Sequence, residues 1–403
     1  MKCLYFLFLA SISTCLSAST PPTKAPLTPN AAITRMLQAH LEKYGKDEFF
    51  SAIQVSVKVK DQLNTYVAGR RSRQADSEPI TPEDLFDIGS ITKSFTASLA
   101  LLAEGENKLK LTAPVSNYLN DYPHWGDINL NRLLNMSSGI PNYSDAPKIN
   151  YLMSQNLRQF WNATDLLALV YPKNVNPPRK PGYFYSNTGY ILIQLILEKI
   201  HQTPFQALIT DKIIKPLDLK NTFYPVPEYP AEVSKRLVHG YSYNIYDNPE
   251  LLGQDVTDNN LSWAGAAGAV VANSEDVIHW VYELFLGNKL LNAHQKEQMQ
   301  TLVSLSSGLP LKITHSKEPY GFGLGIAQGF DAKIGHYWFY EGETLGYRAI
   351  YMYVPCNEII ISALFNSATN QENDHARELV QNIYHYLLQQ NQLLICEKKE
   401  DEA

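Results

Sequence analysis

Cysteine is scarce in this chain. Its 403 residues carry four, and two of them, Cys3 and Cys15, fall within residues 1–18. Cys356 and Cys396 remain; they could pair in an oxidising compartment, and two free thiols are the alternative. Charge is modest as well, at 18% of residues with a formal net of −6. A mildly acidic chain argues against nucleic acid as the main partner. Past the N-terminus no apolar run is long enough to cross a membrane as a helix. No His/Cys/Asp/Glu spacing typical of zinc occurs, so neither a metal nor any other cofactor is expected. There is no Gly-x-Ser-x-Gly elbow, which argues against an α/β-hydrolase, and no Walker-type phosphate loop. Internal repeats and low-complexity domains are absent too.

What is present is an ordinary globular composition, 45% hydrophobic, enough for one large domain or two interlocked ones. Residues 1–18 read as a secretory signal. Lys2 supplies the charge, 3–12 the apolar run, and Leu16-Ser17-Ala18 the small-residue cleavage site. The mature chain is therefore expected to be exported, periplasmic or secreted. A lipid anchor at Cys15 is disfavoured by the preceding Thr14 and the short leader. Residues 19–30, rich in Pro and Thr, read as an extended tether.

One stretch organises the rest: Phe86-Asp87-Ile88-Gly89-Ser90-Ile91-Thr92-Lys93-Ser94-Phe95. On a helix, Ser90 and Lys93 share one face, a turn apart. A serine hydroxyl is a weak nucleophile until a base takes its proton. A lysine serves as that base only where burial or neighbouring cations disfavour its charge. Ile91, Phe95, Leu99 and Leu102 follow at helical spacing, and Gly105 is a stop signal. That apolar face would bury the helix and leave Ser90 at its positive end. On its own the pair is prone to chance.

The surrounding pattern predicts an α+β fold. An amphipathic helix over 33–44 precedes a half-buried alternating strand over 53–60 and a hairpin partner over 63–69. From 111 to about 291 the chain reads as helices and loops without clear strands, including a buried helix over 189–201. Here His40, on the face of the first helix, reads as a satisfied core histidine. Ser274-Glu275-Asp276 would cap a helix over 277–285. Four strand-like segments follow at 321–328, 332–340, 346–354 and 358–365, then an amphipathic helix over 376–387. The N- and C-terminal parts, 31–110 and 300–395, would share one mixed or antiparallel sheet flanked by helices. Residues 111–299 would form an inserted, mainly helical lobe, with a charged tail at 396–403. The cleft between lobes is the default place for a site.

Two further constellations carry chemistry. Tyr185-Ser186-Asn187 would present a phenol and an amide to one side. The phenol can relay a proton; the amide can hold a lysine or a substrate carbonyl. Tyr340-Glu341-Gly342-Glu343 would end a strand at a glycine against which a substrate backbone can lie. The backbone N–H after Gly342 could share an oxyanion hole with that of Ser90. His336, on the same strand, reads as structural.

Ser90-x-x-Lys93, then Tyr185-x-Asn187, then a strand-borne tripeptide ending in Gly342 resemble, in order and spacing, the penicillin-recognising serine hydrolases. The Tyr-x-Asn form resembles the branch holding class C β-lactamases, D-Ala-D-Ala carboxypeptidases, D-aminopeptidases and related esterases. Leu133-Leu134-Asn135-Met136-Ser137-Ser138-Gly139 and Tyr320-Gly321-Phe322-Gly323 are similar to that branch as well, and the likeness spans about residues 50–388. It implies an acyl-enzyme on Ser90, with Lys93 and Tyr185 sharing its proton and either one as the base. Asn187 would orient Lys93 and the substrate amide, and the N–H groups of Ser90 and Glu343 would hold the oxyanion. The partner would be a small peptide, amide or ester, peptidoglycan fragments among them. The leading expectation is a D-Ala-D-Ala carboxypeptidase-like peptidase. A β-lactamase or esterase of the same fold is the alternative, and a non-catalytic wall-fragment sensor is the rival from another class. One departure stands out. Family members usually carry Lys-Thr-Gly, His-Thr-Gly or His-x-Gly on the third strand, and Tyr340-Glu341-Gly342 lacks that cation or imidazole. Arg348 on the facing strand is the candidate replacement, and Tyr340 can still donate a hydrogen bond.

Overall fold

The computed structural model describes residues 29–171, 181–244, 248–369 and 373–391. The leader with Cys15, nearly all of the tether, and Cys396 with the charged tail lie outside the described residues. Cys356 is disulfide-bonded.

Helix α1 (Pro29–Tyr44) begins inside the stretch read as tether and stops before Gly45. Strands β1 (Ala52–Val59) and β2 (Gln62–Gly69) follow as a hairpin. The C-terminal part supplies β3 (Leu302–Ser304), β4 (Pro310–Leu311), β5 (Tyr320–Phe322), β6 (Ala327–Asp331), β7 (Gly335–Glu343), β8 (Arg348–Val354) and β9 (Ile359–Phe365). Together they form one nine-stranded antiparallel sheet in the order β2-β1-β9-β8-β7-β6-β5-β3-β4. The two ends of the chain thus meet at β1 and β9, where Val55 pairs with Ala363. The segment expected as one strand over 321–328 is instead two antiparallel strands, β5 and β6. A reversal closed by Gly323 N–H donating to Ile326 O separates them.

Strand β1 is not half-buried as its alternation implied. Ala52 to Val57 are all buried, because helices cover both faces of the sheet. Helix α5 (Ala376–Gln390) packs on β8 and β9 and against α1, which lies on β1 and β2. Helix α4 (Ser274–Phe285) packs on β1 and β9 from the side of Gln54 and Ser56. The polar residues of β1 are therefore buried hydrogen-bonding groups rather than a wet face. Gln54 donates to the carbonyls of Thr81, Pro82 and Asp84 and accepts from Ser274 N–H at 2.6 Å. A buried amide saturated in this way avoids the penalty of an orphaned polar group. The cap of α4 is Asn273, whose side chain accepts from Asp276 N–H, and not the Ser-Glu-Asp run after it. His40 is buried among Tyr44, Phe50 and Phe365, but its Nε2 has no partner, so it is a core histidine without being a satisfied one.

Helix α2 (Thr92–Gly105) follows a single 3-10 turn, Gly89–Ile91. It is buried on every side from Thr92 to Leu101, not along one apolar stripe. The reason is hydroxyl chemistry. Thr96 donates to Ala266 O at 2.6 Å, Thr92 accepts from Val270 N–H, and Ser94 accepts from the Trp280 indole at 2.8 Å. The small residues of the short helix Gly265–Gly268 let it lie between α2 and helix α3 (Asn187–His201). The middle of the chain does hold strands. Val271–Ala272 pairs with Phe86–Asp87 on one side and Thr222–Phe223 on the other, which pins the segment leading into Ser90. Among the described residues no helix is long and apolar enough to cross a membrane.

Candidate active site

Ser90 sits where α2 begins, half-buried at the floor of an open cleft of about 520 Å³. Its Oγ lies 2.8 Å from Lys93 Nζ and 2.6 Å from Tyr185 Oη. The i, i+3 spacing delivers the first contact and the tertiary fold the second. The Leu133–Asn142 region cradles Tyr185: Phe184 N–H donates to Met136 O, Thr188 Oγ1 to Pro141 O, and Asn187 N–H to Asn142 Oδ1. The turn-rich loop over 137–143 therefore acts as the socket for the Tyr185-Ser186-Asn187 segment.

Lys93 has no exposed surface. Its Nζ also donates to Ala267 O at 2.8 Å. Burial holds its amine well below the usual lysine range. Tyr185 is 40% exposed and lines the cleft, where its hydroxyl meets Ser90. Burial pushes that phenol up to about 12, with the Ser90 hydrogen bond pulling the other way. The pair is thus an amine whose charged form burial disfavours and a phenol that keeps its proton at neutral pH. The amine can accept the serine proton; the phenol can donate one.

Asn187 lines the same cleft but does not hold Lys93. Its Nδ2 donates to Ser144 Oγ at 3.0 Å, and its buried Oδ1 has no partner. The lysine is oriented by Ala267 O instead. Ala267 lies in the short helix Gly265–Gly268, whose small residues let its backbone come this close.

The end of β7 lies against the 3-10 turn of Ser90. A side chain at Gly342 would place its Cβ 2.0 Å from Ile88 O and 2.8 Å from Ser90 N. A Cβ at Gly89, where φ is +48°, would come within 2.4 Å of Glu343 N. Backbone meets backbone here, and only glycine at both positions permits it. The N–H groups of Ser90 and Glu343 are thereby brought to one corner of the cleft.

The matching family model is "Beta-lactamase", over residues 37–385. The chain belongs to the beta-lactamase family. Relatives within this family of serine hydrolases include penicillin-binding protein 4* of Bacillus subtilis, 24% identical over 291 residues, covering 71% of this chain and 62% of that protein. A β-lactamase of Providencia stuartii is 24% identical over 347 residues, covering 80% and 83%. The chain thus spans less than two thirds of the first relative and most of the second. Among solved structures, a D-amino acid amidase from Ochrobactrum anthropi SV3 superposes with a TM-score of 0.74 at 22% identity, over 90% of this chain and 99% of that one. A β-lactamase/D-alanine carboxypeptidase from Pseudomonas syringae gives 0.66 at 18%, over 88% and 99%. The antiparallel sheet flanked by helices is the beta-lactamase family fold.

The third-strand departure has a structural consequence. The Tyr340 side chain is buried, and its hydroxyl meets no partner at hydrogen-bonding geometry. Glu341 Oε1 accepts from Arg377 Nη2 at 2.7 Å and Nε at 3.0 Å. Arg377 carries no local sequence signal that would pair it with the third strand. Arg348 faces Glu343 in the strand register and lines the cleft, yet its guanidinium is buried and already engaged. It is paired with Glu48 at 2.9 Å and Asp374 at 2.7 Å, and donates to Ser367 O. Arg348 therefore does not replace the missing cation. His336 lies 3.3 Å from Thr314 Oγ1 and beside Phe330, and is not among the residues lining the cleft.

Proposed function

We propose that this chain is a serine hydrolase that opens an amide, peptide or ester bond through an acyl-Ser90 intermediate. The observation that carries the reading is the contact chain Lys93 Nζ–Ser90 Oγ–Tyr185 Oη at 2.8 and 2.6 Å. Ser90 Oγ attacks the substrate carbonyl carbon and forms the acyl bond. Its proton passes to the Lys93 amine, whose charged form burial disfavours; we take lysine as the base on that ground. The N–H groups of Ser90 and Glu343 hold the carbonyl oxygen as it becomes an oxyanion. The bond to the leaving group breaks, and the leaving nitrogen or oxygen takes the Tyr185 proton, which Lys93 replenishes. Water, deprotonated along the same route, then releases the acid and regenerates Ser90. The unpartnered Asn187 Oδ1 offers an acceptor for a substrate N–H. The signal-like residues 1–18 support the reading that this chemistry takes place outside the cytoplasm.

We read the preferred substrate as uncharged at the end that lies against β7. Arg348, the cation among the described residues lining the cleft, is engaged by two carboxylates, and Tyr340 offers a neutral phenol. A carboxypeptidase acting on a free terminal carboxylate is the second reading. It is favoured by Arg377, 39% exposed beside Glu341. The test compares a D-Ala-D-Ala peptide with its C-terminal amide, on wild type and on Tyr340→Lys. Wild type is expected to turn over the amidated peptide faster. Tyr340→Lys is expected to shift preference toward the free acid by about tenfold or more, the scale of one charge-assisted hydrogen bond. Faster turnover of the free acid by wild type would replace the neutral-end reading with the carboxypeptidase one.

A further inference from the structure

Three residues before the nucleophile lies a carboxylate that the reaction above does not use. Asp87 is 2% exposed. Both of its oxygens are engaged, Oδ1 by the Tyr229 hydroxyl at 3.1 Å and Oδ2 by the Thr344 hydroxyl at 3.0 Å. Burial pushes its carboxyl up to about 7 while these two hydroxyls pull the other way, and no cation is among the groups that bear on it. Burying a carboxylate without a counter-ion is costly, so its retention at this place calls for an account.

Its position in the chain supplies one. The two oxyanion donors lie on separate segments. Ser90 N belongs to the turn that follows Phe86–Asp87, and that strand is fixed by its pairing with Val271–Ala272 and by Ile88 N–H donating to Val270 O. Glu343 N belongs to the last residue of β7. Thr344 follows directly, buried, in the tight turn closed by its own N–H to Tyr347 O. At the crossing itself Gly89 and Gly342 present no side chains that could interlock. The Thr344–Asp87 hydrogen bond ties the two segments one residue beyond one donor and three residues before the other.

We infer that Asp87 is a positioning residue for the oxyanion hole, holding the Glu343 N–H in register with the Ser90 N–H through Thr344. The inference rests on the acyl-Ser90 reading. Its effect falls on the transition state, where the oxyanion forms, and not on ground-state binding.

The experiment measures the rate constant and the apparent binding constant for phosphonylation of Ser90, the probe's counterpart of acylation, by a fluorophosphonate whose phosphoryl oxygen occupies the oxyanion corner as Ser90 Oγ displaces fluoride. Wild type, Asp87→Ala, Thr344→Val, their double variant and Asp87→Asn are compared, with thermal unfolding of each. Asp87→Ala and Thr344→Val are expected to slow acylation about 10- to 100-fold, a fraction of the loss of a whole oxyanion donor, with the binding constant little changed. The double variant is expected to match the slower single, because the two side chains act as one unit. Asp87→Asn keeps an acceptor for Thr344 and is expected to recover most of the rate. Additive losses, or losses that track unfolding temperature while Asn fails to rescue, would overturn the inference. So would folded variants that acylate at the wild-type rate. Failure of wild type itself to label would instead count against the acyl-Ser90 reading, which separates the two ideas.

Discussion

Lys93→Met is expected to slow acylation of Ser90 by about 10²–10⁴-fold, the range for loss of a positioned general base. Methionine fills nearly the same volume in the fully buried slot between Ser90 and Ala267 but can take no proton. The pH dependence follows from burial. Because burial lowers the amine well below its usual range, wild-type acylation should fall on acidification, as Lys93 gains the proton it must otherwise accept. The phenol of Tyr185, at about 12, adds no second limb near neutrality. Stability carries the same sign. Between the lowered folded value and the ordinary lysine value, the unfolded chain binds one more proton than the folded chain. Wild-type stability relative to Lys93→Met should therefore rise with pH from neutrality toward about 10. Acylation rates and denaturant unfolding across that window check both statements. A Lys93→Met variant that acylates at the wild-type rate would remove lysine from the mechanism.

Gly342→Ala should be nearly as damaging for a steric reason. One methyl group would sit 2.0 Å from Ile88 O and 2.8 Å from Ser90 N, so β7 and the turn of Ser90 must part. The Glu343 N–H moves with β7. Losing one oxyanion donor costs about 10²–10³-fold in rate, and the overpacking itself costs about 1–3 kcal/mol of stability. The acylation rate and a urea unfolding curve measure the two effects separately. A folded Gly342→Ala protein with undiminished acylation would show that the close approach has no part in the chemistry.

The parts of the site that the sequence reveals are those set by local spacing. Ser90 and Lys93 lie one helical turn apart, and any helix there brings them together. Tyr185 and Asn187 sit at the mouth of a helix whose apolar run is plain, and Gly342 ends a strand with a clear alternation. What stayed hidden is set by packing between distant segments. Asn187 reads as the residue that orients Lys93, but Ala267 O takes that place, because a carbonyl in a small-residue helix has no side-chain signature. Arg348 reads as a spare cation on the correct strand. Its side is decided by Glu48 and Asp374, which come from far-apart stretches of chain.

The fold was legible on the same terms. The hairpin, the strand-rich return and the terminal helices follow from periodicity. Burial of both faces of β1 does not, since Gln54 and Ser56 look like a solvated face until α4 is placed over them. The opposite error occurred at 321–328, where an apolar, glycine-rich run conceals a chain reversal between β5 and β6. Polar residues were read as wet and apolar ones as continuous. In both cases tertiary contacts decided otherwise.

The central claim is that Ser90 is an activated nucleophile. Intact-mass analysis of the purified chain after exposure to a fluorophosphonate probe, with peptide mapping and a parallel Ser90→Ala sample, tests it most directly. The account predicts a single adduct on the peptide that holds Ser90, absent from Ser90→Ala and formed more slowly as the labelling pH is lowered. No adduct on the folded wild type, or the same adduct on Ser90→Ala, would contradict it.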